Sequence, residues 1–115
     1  MALGKQEFYF TNILCSSSQL GEWQKHTTVY SERVYVDCLN EGVSNDMTTI
    51  CNFEIRYQFS EQTDPTTNDK GLILRTGDYC SFDARNTVDI YWKSTTTNAS
   101  LKIIEWDGTG RRSTG

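Results

Sequence analysis

A chain of 115 residues is the size of one domain and buries roughly two-thirds of its extended surface on folding, enough for a single core. A formal charge of -4 excludes a broad phosphate-binding surface, which needs clustered Lys and Arg. No stretch is long and apolar enough to span a bilayer as a helix, so neither nucleic acid nor a membrane interior is an expected partner.

Helix formers are scarce: alanine occurs only at Ala2, Ala84 and Ala99, against fifteen Thr and ten Ser. Threonine's branched β-carbon costs little on a pleated strand and more against a helical turn, which points to an all-β chain. In chain order, residues 1–6 and the mixed stretch after them show no secretory leader. Residues 7–14 form a first strand rich in aromatic and β-branched side chains, with Phe8, Phe10 and Leu14 on one parity. Residues 16–25 are a polar loop carrying Gly21 and Trp23.

Residues 28–38 alternate next, with Tyr30, Val34, Val36 and Cys38 sharing one face and Ser31, Arg33, Tyr35 and Asp37 the other. A loop over 39–46 leads to the clearest signal, residues 47–59. There Met47, Thr49, Cys51, Phe53, Ile55, Tyr57 and Phe59 face a core, while Asn52, Glu54, Arg56 and Gln58 face water. Residues 60–70 hold the single proline, Pro65, among turn residues. Residues 71–82 form a strand interrupted at Gly77-Asp78. Residues 87–93 and 101–106 alternate again and are expected to pair as a hairpin through the polar stretch 94–100.

Several alternating strands must bury their apolar faces together, and the long loops and strand lengths favour a two-sheet antiparallel β-sandwich over a small closed β-barrel. Residues 1–115 are expected to form a single β domain with a flexible tail over 107–115. The basic pair Arg111 and Arg112 lies in that tail.

Four cysteines, Cys15, Cys38, Cys51 and Cys80, are separated by 23, 13 and 29 positions, which matches no paired zinc site. An even count permits disulfides, in any of three connectivities, and equally permits buried thiols. Catalysis finds little footing. The single histidine, His26, sits in a polar stretch where a surface role is expected, with no nucleophile-elbow motif. Asp78, Asp83, Asp89 and Glu105 border strands as ordinary solubilising charges. Asp64, Thr66, Asn68 and Asp69 offer hard oxygen donors to a cation, although turns select the same residues for their backbone bonds. No cofactor is expected. Asn98-Ala99-Ser100 is a glycosylation sequon in a loop.

Aromatic side chains carry the functional expectation. Trp23, Tyr35 and Tyr91 are placed outward beside amides and carboxylates, an arrangement suited to stacking on a sugar face. The chain is therefore expected to be a non-enzymatic binding module for carbohydrate or a protein surface, with Trp23, Tyr35 and Tyr91 as anchors. The alternative is a structural subunit of a viral or cell-surface assembly, with homo-oligomers formed through exposed strand edges. An extracellular, cell-surface or virion-associated setting suits either reading.

Overall fold

The computed structural model describes residues 8–107. The strands are β1 (Phe8–Leu14), β2 (Gln24–Lys25), β3 (Tyr35–Val43), β4 (Asn52–Phe59), β5 (Leu72–Arg75), β6 (Tyr79–Asp83), β7 (Val88–Ser94) and β8 (Ala99–Trp106). Residues 1–7 and 108–115, with Arg111, Arg112 and nearly all of the expected tail, lie outside the described residues. Among the described residues no helix is long and apolar enough to cross a membrane.

The pairing nests. β1 meets β8, β2 meets β7, β3 meets β6 and β4 meets β5, all antiparallel. Rolling this nested hairpin adds the β3–β8 and β4–β7 pairs and divides it into two four-stranded sheets, β1-β8-β3-β6 and β2-β7-β4-β5. The result is the antiparallel sandwich expected from the sequence, with jelly-roll connectivity, and the sheets do not close into a barrel. Between them Val36, Cys38, Leu101 and Ile103 of the first sheet meet Phe53, Ile55, Ile90 and Trp92 of the second.

Several boundaries differ from the alternation pattern for local reasons. β4 begins at Asn52, because Asp46 accepts from Thr48 N (3.0 Å) and Thr49 Oγ1 (3.1 Å), a turn that competes with strand pairing before it. β3 starts at Tyr35 and runs on to Val43 through what reads as a loop. A bulge between Asn40 and Val43 makes this extension fit, and Gly42 supplies it with φ +80 where a Cβ would lie 2.2 Å from the Asp46 carbonyl oxygen. The expected hairpin of the last two strands does not form. β7 and β8 lie in different sheets, and residues 95–98 carry the chain across, with Asn98 at φ +66.

The cysteines form no disulfide. All four are free thiols, three of them buried, and the cross-strand neighbours Cys38 and Cys80 remain 4.5 Å apart. The neighbouring Cys80 thiol, together with burial, holds Cys38 well above its ordinary value, and the Cys38 thiol in turn pulls Cys80 down. Cys15 and Cys51 behave as small apolar groups with their own acceptors, Ser16 O (3.6 Å) and Asn40 Oδ1 (3.5 Å).

A second correction concerns charge. His26 and Arg33, both expected at the surface, are buried against Glu105, which stands fully enclosed on the inner face of β8. Glu105 Oε2 accepts from the Val29 amide (3.1 Å) and is 2.9 Å from His26 Nε2, while Oε1 accepts from Arg33 Nη1 (2.8 Å). Arg33 also donates to the carbonyls of Ala84 (2.8 Å) and Val88. Burial pushes the Glu105 carboxyl up, but hydrogen bonds from His26, Val29 and Arg33 outweigh it and hold the group below its ordinary 4.5. A folded-state value below the unfolded one gives stability that is complete above pH 4.5 and is lost as pH falls through the folded value. Glu105→Ala leaves Arg33 buried without its counter-charge and is expected to cost about 3–5 kcal/mol by urea denaturation at pH 7. Glu105→Gln is expected to flatten the acid limb of the stability–pH curve relative to wild type.

Candidate functional site

The outer face of the second sheet carries Glu54, Arg56 and Gln58 from β4 and Tyr91 and Lys93 from β7. Alternation turns these residues away from Phe53, Ile55, Ile90 and Trp92 of the core. Residues 60–71 cross this face as a strap. Gln58 Nε2 donates to Thr63 O (2.8 Å), Lys93 Nζ to Thr67 O (3.2 Å), Trp23 Nε1 to Asp69 O (3.3 Å) and Arg56 Nη1 to Lys70 O (2.8 Å). Glu54 Oε2 accepts from Gly71 N (3.1 Å). A Cβ on Gly71 would lie 2.6 Å from Ile55 O and 2.8 Å from Trp23 Cη2, so glycine is what lets the strap descend onto the sheet.

Trp23 and Tyr91, two of the three expected anchors, are thereby brought together with the candidate cation ligands, of which Asp64 and Asp69 are already engaged. Tyr91 is buried, and its hydroxyl donates to Asp64 Oδ1 (2.8 Å). Burial first, then the Asp64 carboxylate, pushes its phenol up to about 12. The Trp23 ring is half-buried beneath Lys93 Nζ, 4.7 Å from its centroid. Tyr91 is therefore corrected from an outward anchor to a covered side chain: it does face away from the core, but the strap lies over it. Asp69 Oδ2 accepts from Thr66 N (2.7 Å), the local turn bond that such residues favour. Among the described residues no three His, Cys, Asp or Glu side chains converge as metal ligands, and Asn68 is exposed with no part in these bonds.

The open site lies elsewhere. β5 pairs with β4 only from Asn52 to Ile55, so the last residues of β4 outrun their cover. Tyr57 and Phe59 keep their parity toward the other sheet yet are 54% and 59% exposed. The Tyr57 ring stacks on Phe82 of β6 at 4.5 Å and 11°, which fixes it in place. Beside it a cleft of about 430 Å³ is lined by Tyr57, Phe59, Gln62, Asp83, Arg85 and Thr87, among others. A second recess of about 640 Å³ continues past Phe59 and Thr87 to Glu61 and Asn86. On the other side Asp83 and Arg85 also border a hollow of about 180 Å³ that holds Tyr35 and Asp107. Tyr35, the third expected anchor, thus lines a separate hollow that shares Asp83 and Arg85 with the cleft.

The groove formed by the cleft and its continuing recess runs along the end of the sandwich where β4, β6 and β8 finish and β3 and β7 begin. Its wall is the turn between β6 and β7, whose carbonyls at Ala84, Arg85 and Val88 are held by Arg33. Sequence reasoning missed Tyr57 and Phe59 by assigning them to the core. The available signal was the mismatch between a long alternating β4 and the short apolar run, 72–74, able to cover it. Comparison with protein-family models, with curated proteins and with solved structures finds no match for the chain.

Asp64→Ala is expected to return the Tyr91 phenol from about 12 toward its ordinary 10.0, read from the ring resonances in an alkaline NMR titration. The lost hydrogen bond should cost about 1 kcal/mol and speed amide exchange across residues 60–71. Because Asp64 and Asp69 are already engaged, calcium and chelator are expected to leave the thermal midpoint of the wild type alike.

Proposed function

We propose that the chain is a non-enzymatic binding module that recognises carbohydrate through the groove at the end of the sandwich. The observation that carries the reading is the pair of half-exposed rings, Tyr57 and Phe59, set among Gln62, Asp83, Arg85 and Thr87. A sugar ring presents apolar C–H faces and a rim of hydroxyls. It therefore suits a site that offers aromatic surface together with amide, hydroxyl, carboxylate and guanidinium groups. Jelly rolls serve both lectin and capsid domains, so connectivity alone selects neither, and the reading rests on the site. The single histidine is spent on Glu105 in the interior and is withheld from general-base work in the groove. An extracellular, cell-surface or virion setting is where such a module would meet its ligands.

The test is a glycan array followed by NMR titration of the best responders. Resonances of Tyr57, Phe59, Arg85 and Tyr35 are expected to move. Tyr57→Ala and Phe59→Ala should each weaken binding by about 2 kcal/mol, roughly 30-fold. Ile50→Ala, at an exposed position remote from the groove, should leave affinity unchanged. An array without responders, or perturbations confined to the Trp23 and Tyr91 face, would overturn the assignment.

A further inference from the structure

We infer that β1 is a self-association edge, through which two copies of this chain pair to form one continuous antiparallel sheet. β1 is the outer strand of the first sheet, and among the described residues nothing pairs with its free side. Its seven residues contain no charge, proline or bulge, the devices by which exposed edges are usually kept from pairing. By contrast the other edge of that sheet, β6, ends in Asp83 and is followed by Arg85, while β5 ends in Arg75.

The backbone phase defines what the free edge presents. Cys15 N donates to Ala99 O (2.9 Å), and hydrogen-bonded positions alternate along an antiparallel pair. Ile13, Thr11 and Tyr9 therefore bond to β8, and Phe8, Phe10, Asn12 and Leu14 turn their N–H and C=O groups outward. Side chains at these same four positions lie on the outer face of the sheet, where Phe8, Phe10 and Leu14 are 47%, 58% and 54% exposed.

A second copy meets every one of these features. With a twofold axis at Thr11, Phe8 pairs with Leu14 of the other copy and Phe10 with its Asn12. Every outward N–H then finds a C=O, and the exposed apolar side chains become cross-strand neighbours. Both chains carry a formal charge of -4, so a contact between copies needs an uncharged seam, and β1 supplies one. The groove lies toward β6, at the opposite edge of the same sheet, and stays open in the pair.

Sedimentation of the full chain over about a hundredfold dilution range tests the pairing, since association follows mass action. The expected result is a concentration-dependent shift from 13.2 kDa to twice that mass. Asn12→Pro deletes an outward donor while sparing the bonds to β8, and Phe10→Lys places two like charges near the axis; each is expected to give a monomer. Circular dichroism and the thermal midpoint confirm that each variant is folded. Independently, the Phe10 and Asn12 amides of the wild type should gain exchange protection on concentration. A wild type that stays monomeric throughout, unprotected amides at these positions, or folded variants that still dimerise would each overturn the inference.

Discussion

A carboxylate with no solvent contact holds this molecule to one arrangement. Glu105 lies on the inner face of the first sheet, where its neighbours in the alternation are Leu101 and Ile103. An ionised group in that position is costly unless it is fully paired. Its partners are drawn from a segment without regular structure, His26 to Arg33, which passes between the two sheets. His26 is tied to β7 through its backbone donation to Ile90 O (2.8 Å), so Glu105 links the sheets through a polar contact. Arg33 then passes the constraint on to the turn after β6. The wall of the groove is thus anchored to a buried ion cluster. Asn40 does similar work near the other end. Its amide nitrogen donates across the sandwich to Cys51 O (3.0 Å) and Leu74 O (2.9 Å), while its oxygen accepts from Gly42 N (2.9 Å).

The two outer faces are managed differently. On the second sheet the outward residues are long and polar, and the strap is fastened to them mostly through its own backbone carbonyls. Residues 60–71 can therefore vary in side chain at Thr63, Thr67 and Lys70 and still be held, provided the sheet keeps its donors. Among the described residues no comparable strap crosses the first sheet. Tyr35 and Phe8 flank Trp106 with ring centroids at 6.1 and 5.5 Å, and Lys102 reaches over Phe10 at 5.7 Å while pairing with Glu41 at 3.3 Å. Among the described residues the aromatic packing along this face runs from Tyr35 through Trp106 and Phe8 to Phe10 on β1.

Alternation disclosed much of the fold because a period of two is a local property. Phe53 and Ile55 inward with Glu54 and Arg56 outward can be read from neighbours alone, and both pairs stand as expected. Pairing partners were not legible in the same way. Val88–Ser94 and Ala99–Trp106 are consecutive strands joined by a short polar link, the local signature of a hairpin, yet they belong to different sheets. Their long-range partners, β4 for the first and β1 and β3 for the second, decide this. Burial of polar residues was hidden for a related reason. His26, Arg33 and Glu105 are each ordinary surface residues in sequence, and only their meeting across 72 and 79 positions makes the interior tolerable for them. The candidate site failed to read out in both directions. Outward parity at Tyr91 did not mean exposure, because residues far along the chain lie over it; inward parity at Tyr57 did not mean burial, because β5 stops too soon.

These placements bear on how a shallow site can bind usefully. A groove at the end of a sandwich offers one or two rings and a few polar groups, which limits the affinity of a single contact. The pairing inferred for β1 would set two grooves toward the outer edges of one continuous sheet, with fixed separation and the twofold relation of the seam. Two linked contacts to a repeating ligand then act at a high effective concentration and strengthen binding without any further contact within either groove. On the proposed carbohydrate reading, such a pair would favour a surface bearing many copies of a sugar over a free monosaccharide. It also accounts for a division of labour in the sequence. Charge and hydrogen-bonding groups are concentrated on the β4–β6–β7 side where the proposed ligand would be held, and β1 is left uncharged where the inferred pairing would need only another β1 to fit.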